Sequence, residues 1–203
     1  QFRDLRFAGA DVVTLGNHAW ANQEIYNFID REDAIIRPLN YPAGTPGKGY
    51  TIVDMGRVQV AVVNLLGNGF VSSLPSPFTM IDDLLKDLKQ QGVRHIIIDL
   101  HAEATSEKIA FANYVDGRAG AVLGTHTHVQ TADAAILAGH TGYITDAGMT
   151  GVEDSVLGVN KNIAIDRMRL HVPIRFEEAK GDCMLNGVLV EFDQKCGKCT
   201  KME

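Results

Sequence analysis

The chain has 203 residues, 45% of them apolar and 22% charged, with a net charge of −6; this supports one packed core and excludes a disordered chain. The acid excess, with no run of Lys and Arg able to neutralise successive phosphates, excludes a duplex nucleic acid as partner. The longest apolar stretch, residues 58–66, is interrupted by Gln59 and Asn64 and falls short of the ~20 residues that cross a bilayer, while three cysteines without a basic and apolar leader set a reducing cytoplasm as the expected location.

The first nine residues read as the end of a helix, with Phe2, Leu5 and Arg6 at helical spacing and Gly9 where a glycine cap would stand. A chain that opens at Gln1 inside a helix is expected to continue upstream. Residues 11–15 read as a short buried strand that runs through Gly16 into a loop holding Asn17 and His18. Ile25, Phe28 and Ile29 follow at the spacing of a short amphipathic helix. Residues 37–50 carry three prolines and three glycines and are expected to be irregular. Two strands, residues 50–55 and 58–66, are joined at Gly56 and Arg57 with hairpin spacing. A loop over residues 67–77 leads to a helix with Ile81, Leu84, Leu85 and Leu88 on one face, ended by Gly92.

The isoleucine run at residues 95–100 reads as a strand buried on both faces and delivers Asp99 and His101. Residues 106–115 are expected to be helical. Residues 119–123 form another apolar strand, which ends in Gly124, Thr125, His126, Thr127 and His128. Residues 142–145 read as a strand delivering Asp146, followed after Asn160 by a short helix and two strands, residues 172–177 and 184–192.

Four of the seven histidines, His18, His101, His126 and His128, thus follow apolar strand runs, whereas His95, His140 and His171 do not. In open α/β sheets ligands bind beyond the carboxyl ends of the strands, where loops converge on a rigid base. Imidazole is the commonest metal ligand, and two His one residue apart in an extended segment point the same way. Borderline metals such as zinc, iron and manganese accept mixed nitrogen and oxygen ligands, which suits an Asn17 oxygen beside them. One histidine after a strand is more commonly a solvated loop residue; the four together make the case. Glu103 and Glu107 read as the start of a helix, where acids meet its positive end. Asp99 and Asp146 read either as partners that orient imidazoles or as plain loop residues. The pair Cys196 and Cys199, with only Cys183 besides, cannot supply four thiolates and is read as incidental.

The string Leu15-Gly16-Asn17-His18 resembles the GNH signature of calcineurin-like metallophosphoesterases, and Gly124-Thr125-His126-Thr127-His128 resembles their closing GxH motif. The longer strings at residues 16–20 (GNHAW), 101–108 (HAEATSEK), 124–133 (GTHTHVQTAD) and 143–151 (YITDAGMTG) are similar to the YmdB-type branch, and the resemblance runs over residues 11–192. It implies an α/β fold, a four-layer αββα sandwich of the metallophosphoesterase type, with its first βαβ portion missing from the sequence as given. The expected organisation is a single domain over residues 1–193 and a C-terminal tail over residues 194–203.

Carried over by position, the resemblance implies that Asn17, His101 and His126 ligate one metal ion and His128 a second, with His18 as proton donor. The ions would be iron first, manganese or zinc otherwise. The implied reaction opens a 2′,3′-cyclic nucleotide to the 3′-nucleotide through hydroxide activated by two metals, with His18 as general acid. The partner is a small phosphodiester or cyclic nucleotide; homo-oligomerisation stays open. Two departures stand out. Ala19 replaces the acid that in many relatives orients the histidine of GNH, and the family's early Asp and Glu-Asn pair precede residue 11 and are absent. The alternative from another class is a catalytically silent nucleotide- or phosphate-binding regulator. A metal-dependent amidohydrolase is weaker, because its HxH pair lies on the first strand of a barrel. His18, dispensable for binding a metal and needed for protonating a leaving group, favours the enzyme.

Overall fold

The computed structural model describes residues 1–71 and 73–203. Ser72, inside the loop expected over residues 67–77, lies outside the described residues. The elements in chain order are α1 (Phe2–Phe7), β1 (Val13–Thr14), β2 (Ile35–Ile36), β3 (Tyr50–Asp54), β4 (Gln59–Leu66), α2 (Pro77–Gln90), β5 (His95–His101), α3 (Thr105–Tyr114), β6 (Ala121–Thr125), β7 (Ala135–Ile136), β8 (Gly142–Ile144), β9 (Thr150–Val152), α4 (Lys161–Leu170), β10 (Cys183–Leu185), β11 (Val190–Phe192) and β12 (Cys199–Met202).

Six strands form the main sheet in the order β3-β4-β5-β6-β8-β7. The inner strands β4, β5, β6 and β8 run parallel, with β3 and β7 antiparallel at the edges. The β3–β4 hairpin turns at Gly56, whose φ of +78° is the left-handed conformation that glycine adopts without a Cβ clash. Parallel strands need a crossover, and α2 and α3 supply it between β4, β5 and β6. Their apolar stripes, Ile81, Leu84, Leu85 and Leu88 on α2 and Phe111 and Ala112 on α3, pack on Ala61, Val63, Leu65, Ile96, Ile98, Leu100 and Val122 of the sheet. Each fully buried Leu or Ile there contributes about 1.5–3 kcal/mol.

Alternation along β5 sends Asp99 and His101 to the opposite face, and the register Asn64↔Asp99 and His101↔Thr125 sets Asn64 and Thr125 beside them. Over this face lies the two-stranded parallel sheet of β1 and β2. Thr14 faces Asp99 and its hydroxyl favours the ionised carboxylate there, while Val13 and Leu15 turn outward to a second apolar cluster with Phe2, Trp20, Ile25, Phe28, Ile29 and Ile35. Helices, sheet, small sheet and outer helical turns therefore stack as α, β, β and α.

Several elements differ from expectation. The strand expected at residues 11–15 is two residues long and half-buried, because its partner β2, Ile35–Ile36, is equally short. The segment around Ile25 forms two 3-10 turns, Gln23–Asn27 and Ile29–Arg31, opened by the Asn22 side chain accepting the Glu24 N–H; it still buries Ile25 and Ile29. Residues 172–177 form no strand, and residues 184–192 split into β10 and β11, paired to different partners. Residues beyond Asp193, read as a tail, carry β12, which pairs with β11 and buries Cys199 against Gly142. Among the described residues no helix is long and apolar enough to cross a membrane.

Candidate active site

The carboxyl ends of β1, β5 and β6 meet at one place. The loop after β1 carries Asn17, β5 ends on His101, and the turn after β6 carries His126. His101 Nε2 lies 3.0 Å from Asn17 Oδ1 and 3.0 Å from His126 Nδ1, and the two imidazoles stand nearly perpendicular with ring centroids 4.8 Å apart. Gly16 permits this approach: a Cβ there would sit 2.4 Å from the His101 ring.

The protons in this cluster can be placed by following donors. The Thr125 hydroxyl donates to Asp99 Oδ1 at 2.6 Å, so its oxygen is left to accept from His101 Nδ1–H at 3.0 Å. That tautomer leaves Nε2 of His101 as a bare lone pair. Glu103 Oε2 lies 3.1 Å from His126 Nε2, and a carboxylate there requires the proton on Nε2, which leaves Nδ1 of His126 bare as well. Asn17 Oδ1 and His126 Nδ1 thus each turn a lone pair toward the bare Nε2 of His101, with no hydrogen in either 3.0 Å approach. This arrangement is repulsive on its own and suits a cation. Donors bonded to one first-row metal at about 2.0–2.1 Å stand about 3 Å apart, as these do. Among the described residues no three His, Cys, Asp or Glu side chains form a metal-holding group; the converging set is two imidazoles and an amide, a partial cage.

Burial holds His101 well below the usual imidazole range, at about 4, with the nearby charges of His126 and Lys108 acting in the same direction. Burial also lifts the Asp99 carboxyl to about 6, against the hydroxyls of Thr125 and Thr14 and the charge of Lys108. Asn64 Nδ2 donates to Asp99 Oδ2 at 3.0 Å, which fixes the carboxylate that steers Thr125.

The two remaining expected residues stand apart. His128 is exposed, and its Nδ1 lies 3.2 Å from the Leu157 carbonyl, while among the described residues its Nε2 has no hydrogen-bond partner. His126 and His128 do not share one direction, because the segment is not extended: their φ angles are +109° and +66°. His18 is exposed in the turn closed by the Ala21 N–H to its carbonyl, and among the described residues its ring has no hydrogen-bond partner. The same turn is anchored by Trp20, stacked on Tyr26 and edge-on to Tyr41.

Sequence reasoning missed Thr125 and misread Glu103. Thr125 stands inside the GTHTH string, and the β5–β6 register alone pairs it with His101. Glu103 precedes α3 and faces His126 instead of opening the helix. Glu107, in the first turn of α3, spends its carboxylate on the Asn68 and Gly69 N–H groups at 2.7 and 3.1 Å.

A family model described as "YmdB-like protein" matches residues 1–203. The chain belongs to the YmdB-like family. Over 202 residues it is 46% identical to a Bacillus subtilis protein named 2′,3′-cyclic-nucleotide 2′-phosphodiesterase, covering 100% of this chain and 76% of that one. The crystal structure of a hypothetical protein from Thermus thermophilus superposes with a TM-score of 0.92 at 42% identity, covering 99% of this chain and 77% of the other. A Mycoplasma pneumoniae structure described as a novel phosphatase gives 0.91 at 32% identity, covering 100% and 73%. This YmdB-like chain is therefore a phosphoesterase with the α/β metallophosphoesterase fold, a type that implies divalent metal ions.

Proposed function

We propose that this YmdB-like protein hydrolyses 2′,3′-cyclic nucleotides to 3′-nucleotides at the cluster of Asn17, His101 and His126, with His18 as general acid and His128 as ligand of a second ion. The observation that carries the reading is the approach of Asn17 Oδ1 and His126 Nδ1 to the bare Nε2 of His101, 3.0 Å in each case, beside an exposed histidine that takes no part in it. Iron is the first expectation for the metal, manganese or zinc the alternatives. Bound divalent ions supply positive charge for the phosphoryl oxygens and a nucleophile from water near neutral pH.

The chain's own residues do the rest. Asp99, through the Thr125 hydroxyl, fixes the His101 tautomer so that Nε2 faces the ion, and Glu103 does the same for Nδ1 of His126. With His101 titrating at about 4, protons do not compete for that nitrogen at neutral pH. As hydroxide derived from water adds to phosphorus and the bond to O2′ breaks, the His18 imidazolium passes a ring proton to the departing oxygen and becomes neutral, leaving the phosphate on O3′; the proton released by the water restores the imidazolium. His18 follows Asn17 directly, so the ligand that anchors the loop also aims the acid. Three unbridged cysteines suit a reducing cytoplasm.

The test is chromatography of products from 2′,3′-cyclic AMP. A 3′-monophosphate product, lost on chelation and on His126→Ala, is expected. A 2′-monophosphate product, or activity that persists through chelation and His126→Ala, would contradict the reading.

A further inference from the structure

Lys108 on α3 is wholly buried, and its ammonium donates to Asp146 Oδ2 at 3.0 Å, with the two side chains 0% and 1% exposed. A buried Lys–Asp pair is no better for stability than an apolar pair of the same volume, so the contacts of Asp146 give the better account of it. Asp146 Oδ2 accepts the Thr127 N–H at 2.9 Å and Oδ1 the Gly148 N–H at 2.9 Å. Its own main chain is tied in both directions to Thr131, the N–H donating to Thr131 Oγ1 at 2.9 Å and the carbonyl accepting the Thr131 N–H at 3.1 Å. Ala147 N–H adds a bond to the Gly124 carbonyl at 2.8 Å.

Thr127 lies between His126 and His128, both at positive φ, a region that residues with a Cβ seldom occupy unless their surroundings impose it. The amide that Asp146 holds is thus that of the His126–Thr127 peptide, the first of the two between the strained residues. We propose that Lys108 and Asp146 form a strut that holds this peptide and so turns the two imidazoles in different directions, which makes both positioning residues for the metal site. The proposal rests on the reading of His126 and His128 as ligands. Burial opposes the charge on Asp146, but the Gly148 and Thr127 N–H groups, and after them the Lys108 ammonium, hold its carboxyl below the usual range, and an anion with both oxygens as acceptors takes the two N–H groups and the ammonium together.

The test compares the parent with Lys108→Met, with the double variant Lys108→Met/Asp146→Asn, and with Leu88→Ala. The double variant removes both charges at nearly constant volume, so it folds even where the single one does not. Leu88→Ala opens a cavity in the core between α2 and the sheet, on the face away from the histidines. Amide exchange by NMR and titration with Mn²⁺ are the readouts. Expected in the strut variants is exchange at Thr127 and Gly148 accelerated about tenfold relative to the amides of β5, and Mn²⁺ affinity lowered about tenfold to a hundredfold. Leu88→Ala loses global stability and keeps its Mn²⁺ affinity. Parent-like exchange ratios and affinity in the strut variants would overturn the proposal, as would an equal loss of affinity in Leu88→Ala. A parent that binds no Mn²⁺ overturns the metal reading instead, and the exchange ratio at Thr127 then decides the strut by itself.

Discussion

At the scale of single residues, the two shifted groups beside the site act on stability with opposite signs. His101 titrates at about 4 in the folded protein against 6.5 ordinarily. Between these values the unfolded chain binds the extra proton, so this group makes stability fall as pH drops. Asp99 titrates at about 6 against 3.8; over that window the folded state keeps the proton, and stability falls as pH rises. The two nearly cancel in the metal-free parent. Asp99→Asn removes one of them, so urea unfolding of that variant is expected to show a midpoint that drops steadily from pH 6.5 to pH 4; a pH profile matching the parent would contradict the assignment. Gly16→Ala puts a methyl 2.4 Å from the His101 ring, and the imidazole can yield only by leaving its place beside Asn17 and His126. Metal affinity measured by calorimetry is expected to fall at least about tenfold with little change in thermal midpoint, and unaltered affinity would show that the ring has room to move.

At the scale of elements, β6 and β8 approach so closely that Gly124 is the sole residue type that fits between them: a Cβ there would lie 1.7 Å from the Thr145 carbonyl oxygen, which is backbone and cannot swing aside. Gly124→Ala is expected to cost about 3 kcal/mol or more in denaturant unfolding, and a cost under about 1 kcal/mol, the range of well-tolerated core changes, would mean that the two strands can separate. Asp146→Ala leaves the Lys108 ammonium buried without its anion. A loss of about 3–5 kcal/mol is expected by the same measurement; a near-neutral effect would show that water reaches the lysine. The elements legible in the sequence were those with a strong period or a long apolar run: β4, β5, α2 and α3 lie close to where their patterns put them. The short strands β2, β7, β9 and β12 were not legible, since two to four residues carry no period and pairing with a distant partner creates them. The 3-10 turns after Trp20 present the same apolar residues as an α-helix would, which is why spacing alone could not separate the two.

At the scale of the whole molecule, the sheet order explains why the clustering of Asn17, His101 and His126 was foreseeable and the separate placement of His128 was not. Asn17 and His126 follow a strand and His101 ends one, each at a carboxyl end that reaches one edge of the stacked sheets, and a strand running into a ligand-type residue is visible in a linear sequence. The directions of His126 and His128 depend on two left-handed backbone angles imposed by Asp146 and its neighbours, and the link from Asp99 through Thr125 to His101 depends on register; neither leaves a local signal. Binding of metal to the folded state alone also makes stability depend on its concentration, by about 2.7 kcal/mol at a hundredfold excess over the dissociation constant. A thermal midpoint raised by Mn²⁺ in the parent and unmoved in His101→Ala is therefore expected; a shift of equal size in both would place the metal elsewhere.

The role of His18 is tested most directly by comparing leaving groups. The His18→Ala variant and the parent are assayed on 2′,3′-cyclic AMP, whose departing ribose oxygen needs a proton, and on bis-p-nitrophenyl phosphate, whose phenolate leaves without one. The variant is expected to lose about a hundredfold or more of kcat on the cyclic nucleotide, in the range of a general acid's contribution, and to keep most of its rate on the activated ester. Equal losses on both substrates, or none on either, would contradict that role.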